Sequence, residues 1–131
     1  MKKKIILLIS FLSILSVFLF YAIKQNVKIN FSSIGSIGLV ALPSPPNQKI
    51  LTGQTDIKQL ETLLNGIKKK YQLRFSNPKG WVIMIKVQGN FILISEGYMI
   101  IYGDYYSISS QDEMKVIDFY TSLDIKEERY P

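Results

Sequence analysis

The chain has 131 residues, no cysteine, no histidine and a formal charge of +6. Without cysteine there is no disulfide, no thiol chemistry and no thiolate metal site, and without histidine the Ser-His-Asp and Cys-His nucleophile systems and most zinc and haem sites are excluded. Three of the sixteen Lys/Arg residues are Lys2, Lys3 and Lys4, which leaves thirteen against ten Asp/Glu, a net of +3, so the folded part lacks the strongly basic balance that nucleic-acid binding would need.

Ile5 to Ile23 is a run of nineteen residues without a charge, closed by Lys24. At ~1.5 Å rise per residue it spans roughly 28 Å as a helix, close to the ~30 Å hydrocarbon core of a bilayer. A secretory signal has a shorter apolar region, about 7–15 residues, followed by a small-x-small cleavage site. Ala22 is the natural cleavage residue, but Phe20 two positions earlier is too large, and Ser33-Ile34-Gly35 lies too far downstream. A lipoprotein would need a cysteine. The expectation is an uncleaved signal-anchor, with secretion after cleavage as the alternative. The lysines and amino terminus ahead of the segment place that end in the cytoplasm. Residues 1–4 are then a cytoplasmic flank, 5–23 a transmembrane segment and 24–131 an extracytoplasmic domain. Ser10, Ser13 and Ser16 read as hydroxyls bonded back to their own helix more readily than as a helix–helix contact.

After the membrane, Lys28–Phe31 and Ile37–Leu42 read as strand, interrupted at Ser32–Ser36 and ended by Pro43, Pro45 and Pro46. Asn47–Gly53 reads as a loop, extended only at Ile50-Leu51. Asp56–Lys69 is a predicted helix, capped by Asp56 with Gln59 reaching back. Ile57, Leu60, Leu64 and Ile67 form its apolar face, and the Lys68–Lys70 run sits at the negative end of its dipole.

Tyr71 to Ser109 reads as a β-meander with two-residue turns at Gly89-Asn90, Glu96-Gly97 and Gly103-Asp104. Gln88 then opposes Phe91, Ser95 opposes Tyr98, and Tyr102 opposes Tyr105. Because side chains alternate, one face collects Trp81, Ile83, Ile85, Val87, Ile92, Ile94, Met99, Ile101, Tyr106 and Ile108, a consistent core face. A final helix opens at Ser110-Gln111-Asp112-Glu113, read as a capping box with Ser110 as cap, and carries Val116, Phe119, Tyr120 and Leu123 inward. Asp124–Pro131 reads as a polar tail. The fold class is α+β: one N-terminal transmembrane helix plus a small domain with a mainly antiparallel β-meander and two helices.

The other face of the meander is more apolar than a solvent face should be. Phe91, Leu93, Tyr98, Ile100, Tyr102 and Tyr105 are the candidate ligand- or partner-binding residues, since large apolar patches mark partner surfaces and tyrosine suits them. The competing reading is that a helix or the Ile37–Leu42 segment covers this face. The carboxylates have structural explanations: Asp112 and Glu113 start a helix, Glu96 and Asp104 sit in turns, and Glu127-Glu128 lies in the tail. No catalytic residue, metal ligand or cofactor is expected. Gly35-Ser36-Ile37-Gly38 lacks phosphate-loop spacing, and no DxDxDG-like run exists for calcium.

A strand from Ile29 to Leu42, a helix opening TDIKQLETLL, a meander holding GWVIMIKVQGN and YMIIYGDYYSIS, and a final amphipathic helix make up residues 28–123. In this pattern the chain resembles small membrane-anchored or exported domains of unknown function from Gram-positive bacteria. It also looks like single-span bacteriocin immunity factors, which protect the producing cell at its own membrane. Such families transfer no catalytic residues. The expected function is a membrane-anchored, non-catalytic binding or accessory domain. Its partners would be the membrane and a peptide, protein or envelope component, with no nucleic acid. The alternative is a cell-envelope hydrolase built on carboxylates such as Glu96 and Asp104.

Overall fold

Glycine-containing turns and strict alternation organise the centre of the molecule. The computed structural model describes residues 1–41, 46–74, 80 and 82–131. In chain order these form α1 (Lys2–Gln25), β1 (Ile37–Ala41), β2 (Asn47–Leu51), α2 (Gln54–Gly66), β3 (Lys70–Gln72), β4 (Ile83–Val87), β5 (Asn90–Ser95), β6 (Tyr98–Ile101), β7 (Asp104–Ser107), α3 (Ser110–Ser122) and β8 (Glu128–Arg129). The strands join one antiparallel sheet in the order β3-β7-β6-β5-β4-β1-β2-β8. The class is therefore α+β with a meander, β4 to β7, at its centre.

The β5–β6 hairpin turns at Glu96-Gly97 and pairs Ser95 with Tyr98, as its sequence predicts. The other two hairpins turn one residue earlier than expected, at Gln88-Gly89 and Tyr102-Gly103, pairing Val87 with Asn90 and Ile101 with Asp104. Both central residues of each turn have positive φ, 47° and 81° in the first, 51° and 93° in the second. A type I′ turn requires that geometry and takes glycine at its second position. Each correction moves a strand partner by two residues. The side-chain period is also two, so every residue keeps its face. Ile83, Ile85, Val87, Ile92, Ile94, Met99, Ile101, Tyr106 and Ile108 all enter the core, closed over by Ile57, Leu60 and Leu64 of α2 and Val116 and Tyr120 of α3. Trp81, also expected there, lies outside the described residues, as do Leu42, Pro43 and Pro45.

The segment leaving α1 is not the strand expected at Lys28–Phe31. The Asn65 side chain takes both backbone groups of Ile29, accepting from its N–H at 2.9 Å and donating to its carbonyl at 2.8 Å. Glu61 of α2 accepts the Phe31 N–H. With its polar groups satisfied by α2, this segment inserts Ile29, Phe31 and Ile34 into the core instead of joining the sheet. Two further expectations change at the sheet edge. Asn47–Leu51 is a full strand, and the supposed polar tail contributes β8, which pairs Asn47 with Arg129 and Gln48 with Glu128.

The helix ends differ from their sequence signatures. α2 starts before Asp56, with Gly53 at the N-cap and no side-chain cap, and it ends at Gly66. α3 is capped by Ser109, whose hydroxyl accepts from the Asp112 N–H at 3.1 Å. Glu113 does not reach back; it accepts from the Gly97 N–H at 3.3 Å and ties the helix to the β5–β6 turn. Neither helix has a basic residue in its last turn, so lysines from outside the helices satisfy the orphan carbonyls. Lys69 donates to Leu64 and Ile67 at 2.5 and 3.0 Å, and burial lowers its pKa. Lys49 of β2, itself buried, donates to Tyr120 and Leu123, both at 2.8 Å.

Lys49→Met should cost about 2 kcal/mol, the scale of losing hydrogen bonds made by a charged donor, read as a lower denaturation midpoint with unchanged slope. A pH dependence also follows. Bonds from Lys58, and then from the Phe31 N–H, hold the Glu61 carboxyl below its ordinary value of 4.5. Lys115, and then Ser109, hold Asp112 below 3.8. Folding lowers both values, so their stabilisation is complete above those ordinary values and is lost as pH falls through the lowered ones. Glu61→Gln and Asp112→Asn should each lower the thermal midpoint at neutral pH and flatten its fall on acidification.

Candidate functional site

α2 and α3 both pack on the inner sheet face, and Ile37–Ala41 is part of the sheet itself, so among the described residues neither covers the outer face. The six candidate residues are nevertheless not equally accessible. Tyr102 and Phe91 are 52% and 43% exposed, while Leu93 and Tyr98 are half-buried, and Ile100 and Tyr105 are buried. Phe91, Leu93, Ile100, Tyr102 and Tyr105 line one pocket of about 340 Å³, together with Gly89, Asn90 and Gly103. Tyr98 lies outside it, beneath the Arg74 guanidinium, which stands 4.7 Å from the Tyr98 ring and 5.8 Å from that of Tyr105. The open patch is therefore smaller than the sequence predicts, and it is displaced toward the two type I′ turns. A larger hollow, about 690 Å³, is lined among described residues by α2 alone, Gln54 to Leu63; it is a helix surface rather than a cleft between elements.

The Tyr102-Gly103 turn lies beside the end of α1. Lys24 pairs with Asp104 at 2.6 Å, immediately after the Tyr102-Gly103 turn. Gln25 donates to the Lys69 carbonyl at 2.5 Å and accepts from the Tyr71 N–H at 2.9 Å. The Tyr106 hydroxyl donates to the Lys24 carbonyl at 3.0 Å, and burial pushes its pKa up to about 12. Phe20 and Tyr21 meet the Tyr71 ring edge-on, with centroids 6.1 and 5.2 Å apart. This junction was not readable from sequence. Its partners lie up to 82 residues apart, and Asp104 carries the ordinary signal of a turn former.

Glu96 and Asp104 do not converge. Glu96 lies in the turn before β6 and Asp104 opens β7 beyond the other end of that four-residue strand, hence roughly 13 Å or more apart at ~3.3 Å per residue. Carboxylate pairs of glycoside hydrolases stand about 5–9.5 Å apart. Among the described residues no group of three or more acidic side chains is placed to hold a metal ion. No protein-family model, curated protein or solved structure matches the chain.

The two tyrosines of the pocket should separate cleanly. Tyr105→Ala should lose about 3 kcal/mol as a buried aromatic truncation. Tyr102→Asn should stay within about 0.5 kcal/mol, because the site is exposed and asparagine tolerates positive φ. Urea denaturation of the two variants measures the difference.

Proposed function

We propose that this chain is a non-catalytic binding or accessory domain held at the outer face of the cytoplasmic membrane. Residues 1–4 would be cytoplasmic, 5–23 would span, and 24–131 would fold outside. The observation that carries this reading is α1 itself. It is long and apolar enough to cross a membrane, and no residue of it is buried by the protein. Such a surface in water would drive association, whereas in a bilayer it is solvated.

The junction supports an anchor that stays. Cleavage after Ala22 would separate Phe20 and Tyr21 from Tyr71. The outer-face pocket is the binding surface in this reading, and its occupant is a peptide, protein or envelope component. Holding the pocket at the membrane raises the effective concentration of any partner confined there. The carboxylate spacing counts against the hydrolase alternative. The single span and the size remain in keeping with an immunity-factor-like role in a Gram-positive cell envelope.

Amide hydrogen exchange on the full chain in a bilayer, with and without envelope extract, tests the binding surface. Added protection across Phe91–Tyr105, abolished by Phe91→Ser with Tyr102→Asn at an unchanged thermal midpoint, is the expected result. Protection that never changes would remove the pocket as the site.

A further inference from the structure

Two contacts limit how far the domain can stand from a bilayer that contains α1. Phe20 and Tyr21 belong to the apolar run, yet both touch Tyr71 of β3. With residues 5–23 in the membrane, Phe20 and Tyr21 lie at its outer boundary, the level that aromatic residues favour, and Tyr71 is drawn to the same level. Lys24 then brings Asp104, and with it the β6–β7 turn, to the first charged residue after the span. Gln25 clamps the chain on both sides of Lys70. No free tether remains between the helix and this corner of the sheet.

That corner carries three exposed apolar side chains. Tyr102 lies in the turn that precedes Asp104, and its N–H donates to the Phe91 carbonyl at 3.4 Å, placing the two aromatics side by side. Leu73, 59% exposed, directly follows Gln72, the partner of Tyr105. Tyr102, Phe91 and Leu73 are three of the large apolar side chains that the domain leaves in water. On the other side of the junction, Gln25, Asn26, Lys28 and Lys69 border a hollow of about 490 Å³, so a cation, the exposed Lys28, accompanies the apolar residues at the helix exit.

We propose that the domain docks on the surface of the bilayer that α1 enters, with Tyr102, Phe91 and Leu73 at the lipid headgroup level. This rests on the reading of α1 as a retained anchor. Aromatic residues on one side of an apolar helix exit, with the exposed Lys28 on the other, match the chemistry of the membrane–water interface, where the ring is solvated by acyl and glycerol groups and lysine meets phosphate. The outer-face pocket would then open along the membrane plane.

The absence of native cysteine allows a direct test. Single-cysteine variants of the full chain, Ser13→Cys, Asn90→Cys and Glu96→Cys, are labelled with an environment-sensitive fluorophore and reconstituted in bilayers of phosphatidylcholine and phosphatidylglycerol. The bilayers carry nitroxide quenchers at either headgroup or acyl depth. Asn90 opens β5 beside Phe91, and Glu96 follows its far end, roughly 20 Å away at ~3.4 Å per residue. The expected result is acyl-depth quenching at Ser13, headgroup-depth quenching at Asn90 several-fold stronger than at Glu96, and loss of that excess when Phe91→Ser and Tyr102→Asn are added. Quenching at Ser13 with no difference between Asn90 and Glu96 overturns the docking while leaving the anchor intact. No quenching at Ser13 removes the anchor reading and the docking with it.

Discussion

The last turn of α1 is the constraint on which the arrangement of this molecule depends. Up to Ile23 the helix turns its apolar surface outward and is buried by nothing in the protein. From Phe20 onward the same helix engages the sheet edge through ring contacts with Tyr71, an ion pair with Asp104 and hydrogen bonds of the Gln25 side-chain amide. The two regimes overlap within one turn. A helix bonded to its domain by several different interactions, neutral and charged, transmits its position rather than acting as a loose leash.

The domain beyond it keeps two apolar systems apart. The inner sheet face, with α2, α3 and the Ile29–Ile34 segment, forms a core whose polar demands are met from outside each element. Lys69 and Lys49 finish the two helices at their C-termini, Glu61 and Asn65 hold the segment that leaves α1, and Ser109 starts α3. Each of these groups is polar and local in its effect, and Lys49, Glu61 and Asn65 meet backbone 30 or more residues away in sequence, which is how a small sheet protein can leave few backbone groups unpaired. The outer face is organised differently. Cations lie over its rings, Arg74 on Tyr98 and Lys86 on Tyr130, and its exposed aromatics gather at the end nearest α1.

That segregation frames the functional reading. An α+β domain with open aromatics near the end of a helix long and apolar enough to cross a membrane would have a defined geometry toward a surface. By contrast, Glu96 and Asp104 are separated by the length of β6. A pocket of aromatic and aliphatic side chains can discriminate by shape and apolar area, while the polar groups nearest it, in the two turns, would set orientation.

The alternation of Ile83 to Ile108 settled which residues face inward, and the long uncharged run settled that a helix long and apolar enough to cross a membrane would form; both are local properties, which a single chain displays in full. The hairpin registers shifted by two residues at Gln88-Gly89 and Tyr102-Gly103 without harm to that face assignment, because the error matched the strand period. The β2–β8 side of the sheet was not legible. β2 is half polar and β8 is two residues long, and β2 pairs with both β1 and β8. The capping residues were only half legible, since Ser109 and Ser110 offer the same hydroxyl and only the backbone path selects between them. What tertiary structure alone decided was the junction of Lys24, Gln25, Tyr71, Asp104 and Tyr106 and the burial of Ile100 and Tyr105. Contacts between residues so far apart along the chain leave no periodic trace in the sequence and exist only once the sheet has brought them together.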